Sequence, residues 1–363
     1  MMRTVGIDAR KYFDFGIGTY LQGLLGEFAR RECGFRFTLF LSPGEMGSVK
    51  TAPTWRKVEA PWKKYSLSEL LFLGKEAARE GVDLLHIPHY TLPVGFAGPS
   101  VVTIHDLIHL RFPQYYSWAH RAYARGMMGH AVRTARAIIA VSEFVKDDIL
   151  SQFRVLAEKI HVVPLAARSG FRPLPKSSIN NFRKRYGLHN PYVLYVGGMG
   201  KHKDIPTLIK SFDIVAGHIK DCDLVFAGTP ADQGREHVSS GRFAGRIRFL
   251  GRLPGLDLTA AYNAAEVLLM TSMYEGFGLP PLEAMACGTP CVVSDAGSLP
   301  EVVGQAAVLC RTGRPEEFAE GVMTILTRSR ERNTLIRRGY ENLRRFSWRT
   351  TATRTLQIYE SIA

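Results

Sequence analysis

Glu275 and Glu283 stand eight positions apart in Tyr274-Glu275-Gly276-Phe277-Gly278-Leu279-Pro280-Pro281-Leu282-Glu283. The stretch follows an apolar run, Val267–Met270, passes a glycine-containing loop and opens a short helix. Proline suits the first helical turn, where a missing N–H costs nothing. Gly276 and Gly278 let the backbone approach a ligand closely. N–H groups at a helix start favour an anion, most simply a phosphate. A carboxylate accepts paired hydrogen bonds, for which vicinal sugar hydroxyls are natural donors. A glycine-rich strand-to-helix turn carrying two solvated glutamates is the plain alternative.

Elements of one repeated grammar must position these groups: short apolar run, turn, amphipathic helix, short apolar run. In the first half, strands are expected at Arg3–Asp8, Phe35–Leu41, Asp83–Ile87, Ser100–Ile104 and Ala137–Val141. Helices are expected near Gly18–Arg31, Ser66–Arg79, Tyr115–Thr134 and Glu143–Phe153, with Ser66 and Glu69 as a capping box. In the second half, strands are expected at Tyr192–Val196, Asp223–Ala227, Ile247–Leu250, Val267–Met270, Thr289–Val293 and Ala306–Leu309. Apolar strands alternating with helices predict α/β architecture: two doubly wound, Rossmann-like parallel-sheet domains. A chain of 363 residues exceeds the roughly 250–300 that one core serves. The boundary falls in Pro164–Pro175, giving an N-terminal domain over 1–165, a C-terminal domain over 166–345 and a terminal helix over 346–363. Ligands of open α/β sheets sit beyond the carboxyl ends of the strands. Two facing sheets would therefore hold a substrate in a cleft, with the joining segment as a hinge.

The formal charge is +14, from 47 Lys and Arg against 33 Asp and Glu. Such a balance attracts nucleic acid, anionic lipid or a phosphorylated small molecule. From Leu107 to Ser142 no acidic residue occurs, while Phe112, Tyr115, Tyr116, Trp118 and Tyr123 lie among Arg111, Arg121, Arg125, Arg133 and Arg136. That interleaving fits a helix on an anionic membrane surface; a solvated basic face over core aromatics is the other reading. No nucleic-acid motif accompanies the charge. No run of about 18 apolar residues is present, and the polar start at Met1–Asp8 lacks a signal-peptide stretch, so a cytoplasmic protein is expected. Cys33, Cys222, Cys287, Cys291 and Cys310 are odd in number and form no Cys-x-x-Cys pair, which points to buried reduced thiols.

Glu275 through Glu283 resembles the Glu-x₇-Glu signature of retaining, nucleotide-sugar-dependent glycosyltransferases of family 4, which have the GT-B fold and include the group 1 mannosyltransferases. The likeness extends over almost the whole chain. Gly6-Ile7-Asp8-Ala9-Arg10 with Gly16-Ile17-Gly18 resembles the family's opening strand and glycine loop. Thr103-Ile104-His105-Asp106-Leu107, Ala140-Val141-Ser142-Glu143-Phe144 and Tyr195-Val196-Gly197-Gly198 through Lys203-Asp204 follow in the family's order.

The resemblance implies that Glu283 holds the ribose hydroxyls, and that Glu275 with the Gly276, Phe277, Gly278 and Leu279 backbone holds donor sugar and phosphates. It places Lys203 on the diphosphate, His105 against the donor sugar, and Gly16 and Gly18 beside donor phosphate and acceptor. Many relatives carry an Arg directly after the glycine or directly before that Lys. Here Gly198 and His202 stand there, and Lys201 is the substitute, a point charge rather than a planar fork. The implied reaction moves a hexosyl group, mannosyl among the candidates, from a nucleoside-diphosphate sugar (GDP-mannose or a UDP-sugar) to a saccharide or lipid-linked acceptor. It proceeds with retention and without a metal or other cofactor. The last helix of such proteins commonly crosses back to the N-terminal domain.

Two patterns are set aside. Asp221-Cys222-Asp223 has the Asp-x-Asp form of a metal–nucleotide site but precedes a strand, so it reads as solvated charge. His105, Asp106 and His109 crowd one strand end without a distant third ligand. The competing functional readings are a nucleotide-binding module of the same fold without turnover, a sugar phosphorylase, which usually needs a longer chain, and a nucleic-acid binder resting on charge alone. The loop after Gly228 and the Gly251–Leu253 turn are expected to border the base.

Overall fold

The structure, a computed structural model, describes residues 2–49, 51–228 and 242–363. The chain divides into two compact units, Met1–Ala166 with Ser347–Ala363, and Ala167–Phe346.

The first unit runs β1 (Arg3–Asp8), α1 (Phe15–Phe28), β2 (Phe35–Leu41), β3 (Arg56–Glu59), α2 (Leu67–Arg79), β4 (Leu84–Ile87), β5 (Ser100–Ile104), α3 (Ile108–Arg111), α4 (Trp118–Thr134), β6 (Ala137–Ala140), α5 (Glu143–Gln152) and β7 (Ile160–Val162). Its parallel sheet has the order β3-β2-β1-β4-β5-β6-β7. The order reverses between β1 and β4, the place where doubly wound sheets open a crevice. The inner strands β4, β5 and β6 are buried along their whole length, as apolar runs covered on both faces must be. The flanking strands β3 and β7 were not expected. Arg56-Lys57-Val58-Glu59 and Ile160-His161-Val162 are polar and short because a sheet edge tolerates, and favours, charge.

Three local expectations are corrected. The helix α1 begins at Phe15 rather than Gly18, so Gly16 and Gly18 lie inside its first turn. The stretch before α4 is a separate short turn, Pro113–Tyr115, and Ser117 caps α4 by accepting from the His120 N–H. The capping box at α2 is only half formed. Ser66 Oγ accepts from Glu69 N at 3.2 Å, but Glu69 returns to the Tyr65 N–H instead of that of Ser66. Glu69 is drawn inward because Arg10 claims its other oxygen at 2.9 Å.

The second unit contains α6 (Lys176–Arg185), β8 (Tyr192–Val196), α7 (Ile205–His218), β9 (Asp223–Ala227), β10 (Ile247–Phe249), α8 (Gly255–Ala264), β11 (Val267–Met270), α9 (Leu279–Ala286), β12 (Cys291–Ser294), α10 (Leu299–Val303), β13 (Ala307–Cys310), α11 (Pro315–Thr327) and α12 (Ser329–Leu343). Its parallel sheet has the order β10-β9-β8-β11-β12-β13. Val193, Tyr195, Leu224, Phe226, Leu269 and Val292 from the strands pack against Leu208, Phe212 and Val215 of α7 and Phe318 and Val322 of α11. Asp221-Cys222-Asp223 is not uniformly solvated: Asp223 is buried and accepts from Asn190 Nδ2 at 3.2 Å. The loop after Gly228 lies outside the described residues.

The final helix, α13 (Trp348–Ile362), belongs to the first unit. Thr351 Oγ1 donates to the Pro164 carbonyl at 2.7 Å, and the Trp348 indole lies where a Cβ on Gly23 of α1 would stand. Glycine at 23 is thus a packing requirement for this helix. Among the described residues no helix is long and apolar enough to cross a membrane.

Candidate active site

In the second unit, the carboxyl ends of β8 and β11 bring the sequence-predicted groups together. Tyr195 Oη donates to the Gly198 carbonyl at 2.6 Å and fixes the loop leaving β8. That loop ends in a tight turn, Lys201–Lys203, and Asp204, in the left-handed region at φ 49°, caps α7. Thr271 Oγ1 donates to the Lys203 carbonyl at 3.1 Å, and Met273 N–H to that of His202 at 2.7 Å. These bonds tie the turn to the strand end that precedes Glu275. Lys203 Nζ then donates to Glu275 Oε1 at 2.7 Å, and Ser272 Oγ to the same oxygen at 2.7 Å. Lys201, by contrast, is exposed at the start of that turn.

The loop carrying Glu275 is held from behind by residues the sequence did not single out. Ser298 donates to the Glu275 carbonyl from both N and Oγ at 3.0 Å. Gly297, at φ 62°, lies so close that a Cβ would stand 2.5 Å from that carbonyl oxygen. Gly278 caps α9 at φ 96°, where a Cβ would meet Leu299 at 2.6 Å. Phe277 is buried, edge-on to Phe346 with centroids 5.7 Å apart.

One expectation about the helix mouth needs correction. Leu279 is the first residue of α9, so Pro280 and Pro281 both occupy its first turn and neither carries an N–H. The backbone donors at this mouth are those of Gly278 and Leu279, not a full first turn.

Glu283 is buried in α9. Tyr262 Oη donates to its Oε2 at 2.9 Å, and Arg168 Nε lies 3.4 Å from Oε1. Burial pushes the Glu283 carboxyl above its ordinary range, and the Arg168 guanidinium and Tyr262 hydroxyl pull it back. Arg168 and Tyr262 were missed. Neither falls in a motif, and Arg168 reaches Glu283 from the far end of the unit's sequence.

The first unit brings a second set together. Asp8 and Arg10 of the opening motif form a buried two-point pair, Nε to Oδ1 at 2.8 Å and Nη2 to Oδ2 at 2.7 Å, and Arg10 also binds Glu69. The Asp-Ala-Arg motif is therefore a clamp between β1 and α2. Gly18 packs so closely that a Cβ would stand 2.6 Å from the Tyr12 carbonyl oxygen, whereas nothing lies within 4 Å of a Cβ on Gly16.

His105 follows β5, half-buried, with Nε2 3.2 Å from the Pro88 carbonyl. A carbonyl only accepts, so Nε2 carries the proton and Nδ1 is the free acceptor. Burial pushes the His105 imidazole down to about 4, so it is neutral at pH 7. It stands edge-on to Tyr20 at 5.2 Å. Beneath it runs a buried chain: Tyr20 Oη to Thr103 Oγ1 at 3.1 Å, Thr103 to His86 Nε2 at 2.8 Å, and His86 Nδ1 to Tyr359 Oη of α13 at 2.5 Å.

Residues 178–342 match the family of group 1 glycosyl transferases, and residues 16–167 match Glycosyltransferase Family 4. The chain is 30% identical over 282 residues to O-antigen chain mannosyltransferase B of Escherichia coli, spanning 76% of this chain and 74% of that one. It is 26% identical over 263 residues to the serotype-specific mannosyltransferase WbdA of Escherichia coli, but spans only 32% of that protein's length. Among solved structures it resembles a sucrose-phosphate synthase from Thermosynechococcus elongatus, with a TM-score of 0.82 at 22% identity, covering 99% and 98% of the two chains. It also resembles Anabaena HepE in complex with UDP-glucose, with a TM-score of 0.78 at 18% identity, covering 99% and 100%. Those likenesses show the GT-B fold, and the sequence relatives carry the rest: this chain belongs to the group 1 glycosyltransferases and is a glycosyltransferase of family 4.

Proposed function

We propose that the protein transfers a hexosyl group, mannosyl foremost, from a nucleoside-diphosphate sugar to a saccharide acceptor in cell-surface polysaccharide synthesis, with retention of configuration. The Lys203–Glu275 pair at 2.7 Å carries this reading. It sets an ammonium and a carboxylate side by side at the mouth of α9, one suited to diphosphate and the other to sugar hydroxyls. Glu283, braced by Tyr262 and Arg168, holds its carboxylate ready for the ribose diol. Relatives that are mannosyltransferases by name favour mannose as the sugar.

Release of a nucleoside diphosphate builds negative charge on the leaving oxygen. Lys203 and the Gly278 and Leu279 N–H groups are the preorganised donors for it, while the glycosyl carbon becomes oxocarbenium-like. The leaving phosphate accepts the acceptor's proton on the same face, so no protein nucleophile is needed. Within the first unit, neutral His105 offers a sugar hydroxyl an acceptor at Nδ1. A mass-spectrometric turnover assay with GDP-mannose, UDP-glucose and UDP-galactose tests the proposal. Transfer or slow hydrolysis of at least one supports it. Nucleotide binding with no turnover of any would favour a binding module instead.

The first unit carries the membrane part of the reading. Trp118 and Tyr123 on α4 are 78% and 36% exposed, beside exposed Arg121 and Arg125. Tyr123 Oη donates to the Tyr65 carbonyl at 3.3 Å, next to α2 with its exposed Leu67, Leu71 and Phe72. Aromatic and aliphatic side chains among arginines suit the headgroup region of an anionic bilayer. Sedimentation with phosphatidylglycerol vesicles should show binding that weakens as salt rises and drops in Trp118→Ala. Equal partitioning onto phosphatidylcholine vesicles would contradict it.

A further inference from the structure

The first unit holds polar atoms that neither its fold nor the donor-binding groups use. Lys11 follows β1, is 2% exposed, and its Nζ is buried without a hydrogen-bond partner. His89 follows β4, is 8% exposed, and its Nδ1 is likewise buried and unpartnered. These strands flank the point where the sheet order reverses. Both residues meet Tyr65: Lys11 Nζ lies 4.2 Å from its ring centroid, and the His89 ring packs edge-on to it at 5.2 Å. Tyr65 itself sits in the left-handed region at φ 64°, a conformation that is strained for an aromatic residue and collects at functional sites. Its side chain is 45% exposed, so the buried Lys11 ammonium lies against a ring that itself reaches solvent.

We infer that Lys11 and His89 form a hydroxyl-recognition subsite for the saccharide acceptor, at the β1–β4 switch point of the first unit. This inference rests on the transferase reading above. The chemistry is complementary in a specific way. An ammonium only donates, and in the Nε2–H tautomer of neutral His89, which puts the proton on the nitrogen that is not buried, Nδ1 only accepts. A hydroxyl is the common group that satisfies both at once: its oxygen accepts from Nζ and its hydrogen goes to Nδ1. A carboxylate or a phosphodiester satisfies the ammonium alone, and a hydrogen phosphate, which could meet both, brings a net charge that a hydroxyl does not. The nearby carboxylates do not fill the role, because Asp8 and Glu69 are already held by Arg10 and Asp14 by Lys64 Nζ at 2.7 Å. Their charges, with those of Arg10, Lys11 and Lys64, leave this cluster close to neutral, which again favours an uncharged sugar over an anion. Burial, together with the neighbouring Lys11 charge, keeps the His89 imidazole neutral, as an acceptor must be.

Methyl α-D-mannopyranoside is the probe. Its affinity for the full chain is measured by saturation-transfer NMR, beside the affinities for methyl α-D-glucopyranoside and inorganic phosphate. GDP and UDP binding are followed in the same samples. Lys11→Met and His89→Asn are each expected to weaken glycoside binding by about tenfold, as loss of a hydrogen bond to a charged or buried partner does. Nucleotide affinity should not change, and the His89 Nδ1 resonance should move on adding glycoside to the wild type. If Lys11→Met fails to fold, His89→Asn and the resonance carry the test. Unchanged glycoside affinity in the folded variants, no binding of either glycoside by the wild type, or preference for phosphate would each overturn the inference. Loss of nucleotide binding by the wild type would instead strike the transferase reading.

Discussion

Lys203→Ala is expected to lower kcat by about 10²–10³, the effect of removing one preorganised donor from a developing oxyanion. Several features concentrate that role on one side chain. Two prolines strip N–H groups from the first turn of α9. Lys201 is exposed, and Gly198 and His202 stand where many relatives place an Arg. Removing the ammonium also leaves Glu275 with Ser272 Oγ as its side-chain donor, so a bare carboxylate would face an approaching diphosphate and binding should weaken as well. Lys203→Arg should recover part of the loss, because charge returns with a different fork geometry. Steady-state kinetics on variants with unchanged circular dichroism check this. A kcat within threefold of wild type in Lys203→Ala would remove Lys203 from the chemistry.

Acid should destabilise the first unit well before its carboxylates titrate. His86 is fully buried between Thr103 and Tyr359, and burial pushes its imidazole down to about 3. His89 is held well below its ordinary value by the same cause. In the unfolded chain both take up a proton near pH 6.5, whereas in the native chain they do not. The unfolded state therefore binds more protons below that pH, and stability falls as pH is lowered. Each imidazole adds a slope approaching about 1.4 kcal/mol per pH unit. Glu283, whose carboxyl is raised in the folded chain, acts in the opposite direction but in the second unit. Urea unfolding at pH 7, 6 and 5 should show a falling midpoint for the wild type and a shallower fall for His86→Gln. Identical pH dependence in the two proteins would contradict the account.

The sequence made legible what depends on continuous apolar runs and on spacing. The inner strands β5, β6, β8, β9 and β11 announced themselves because burial on both faces favours short, mainly apolar runs rich in Val, Ile and Leu. Edge strands β3 and β7 did not, because one side of each meets water and their residues look like loop. Glu275 and Glu283 were legible as a spaced pair, and Lys203 was placed by its distance from Gly197. Their partners were not. Arg168, Tyr262 and Ser298 act through contacts between distant segments, and no local period encodes such contacts. The Asp8-Ala9-Arg10 motif stands out in the sequence, but its work as a clamp depends on the distant Glu69 bound to the same guanidinium. Ser66 and Glu69 looked like a local box for the same reason: the competing buried partner is invisible in a short window.

The central claim is that two carboxylates grip the two ends of a sugar nucleotide within the second unit. Isothermal titration of GDP and UDP into wild type and Glu283→Ala tests it most directly. Losing hydrogen bonds to a charged acceptor costs about 1.5–3 kcal/mol, so the preferred nucleotide should bind roughly 10- to 150-fold more weakly to the variant. Undiminished affinity in a folded Glu283→Ala protein would contradict the claim.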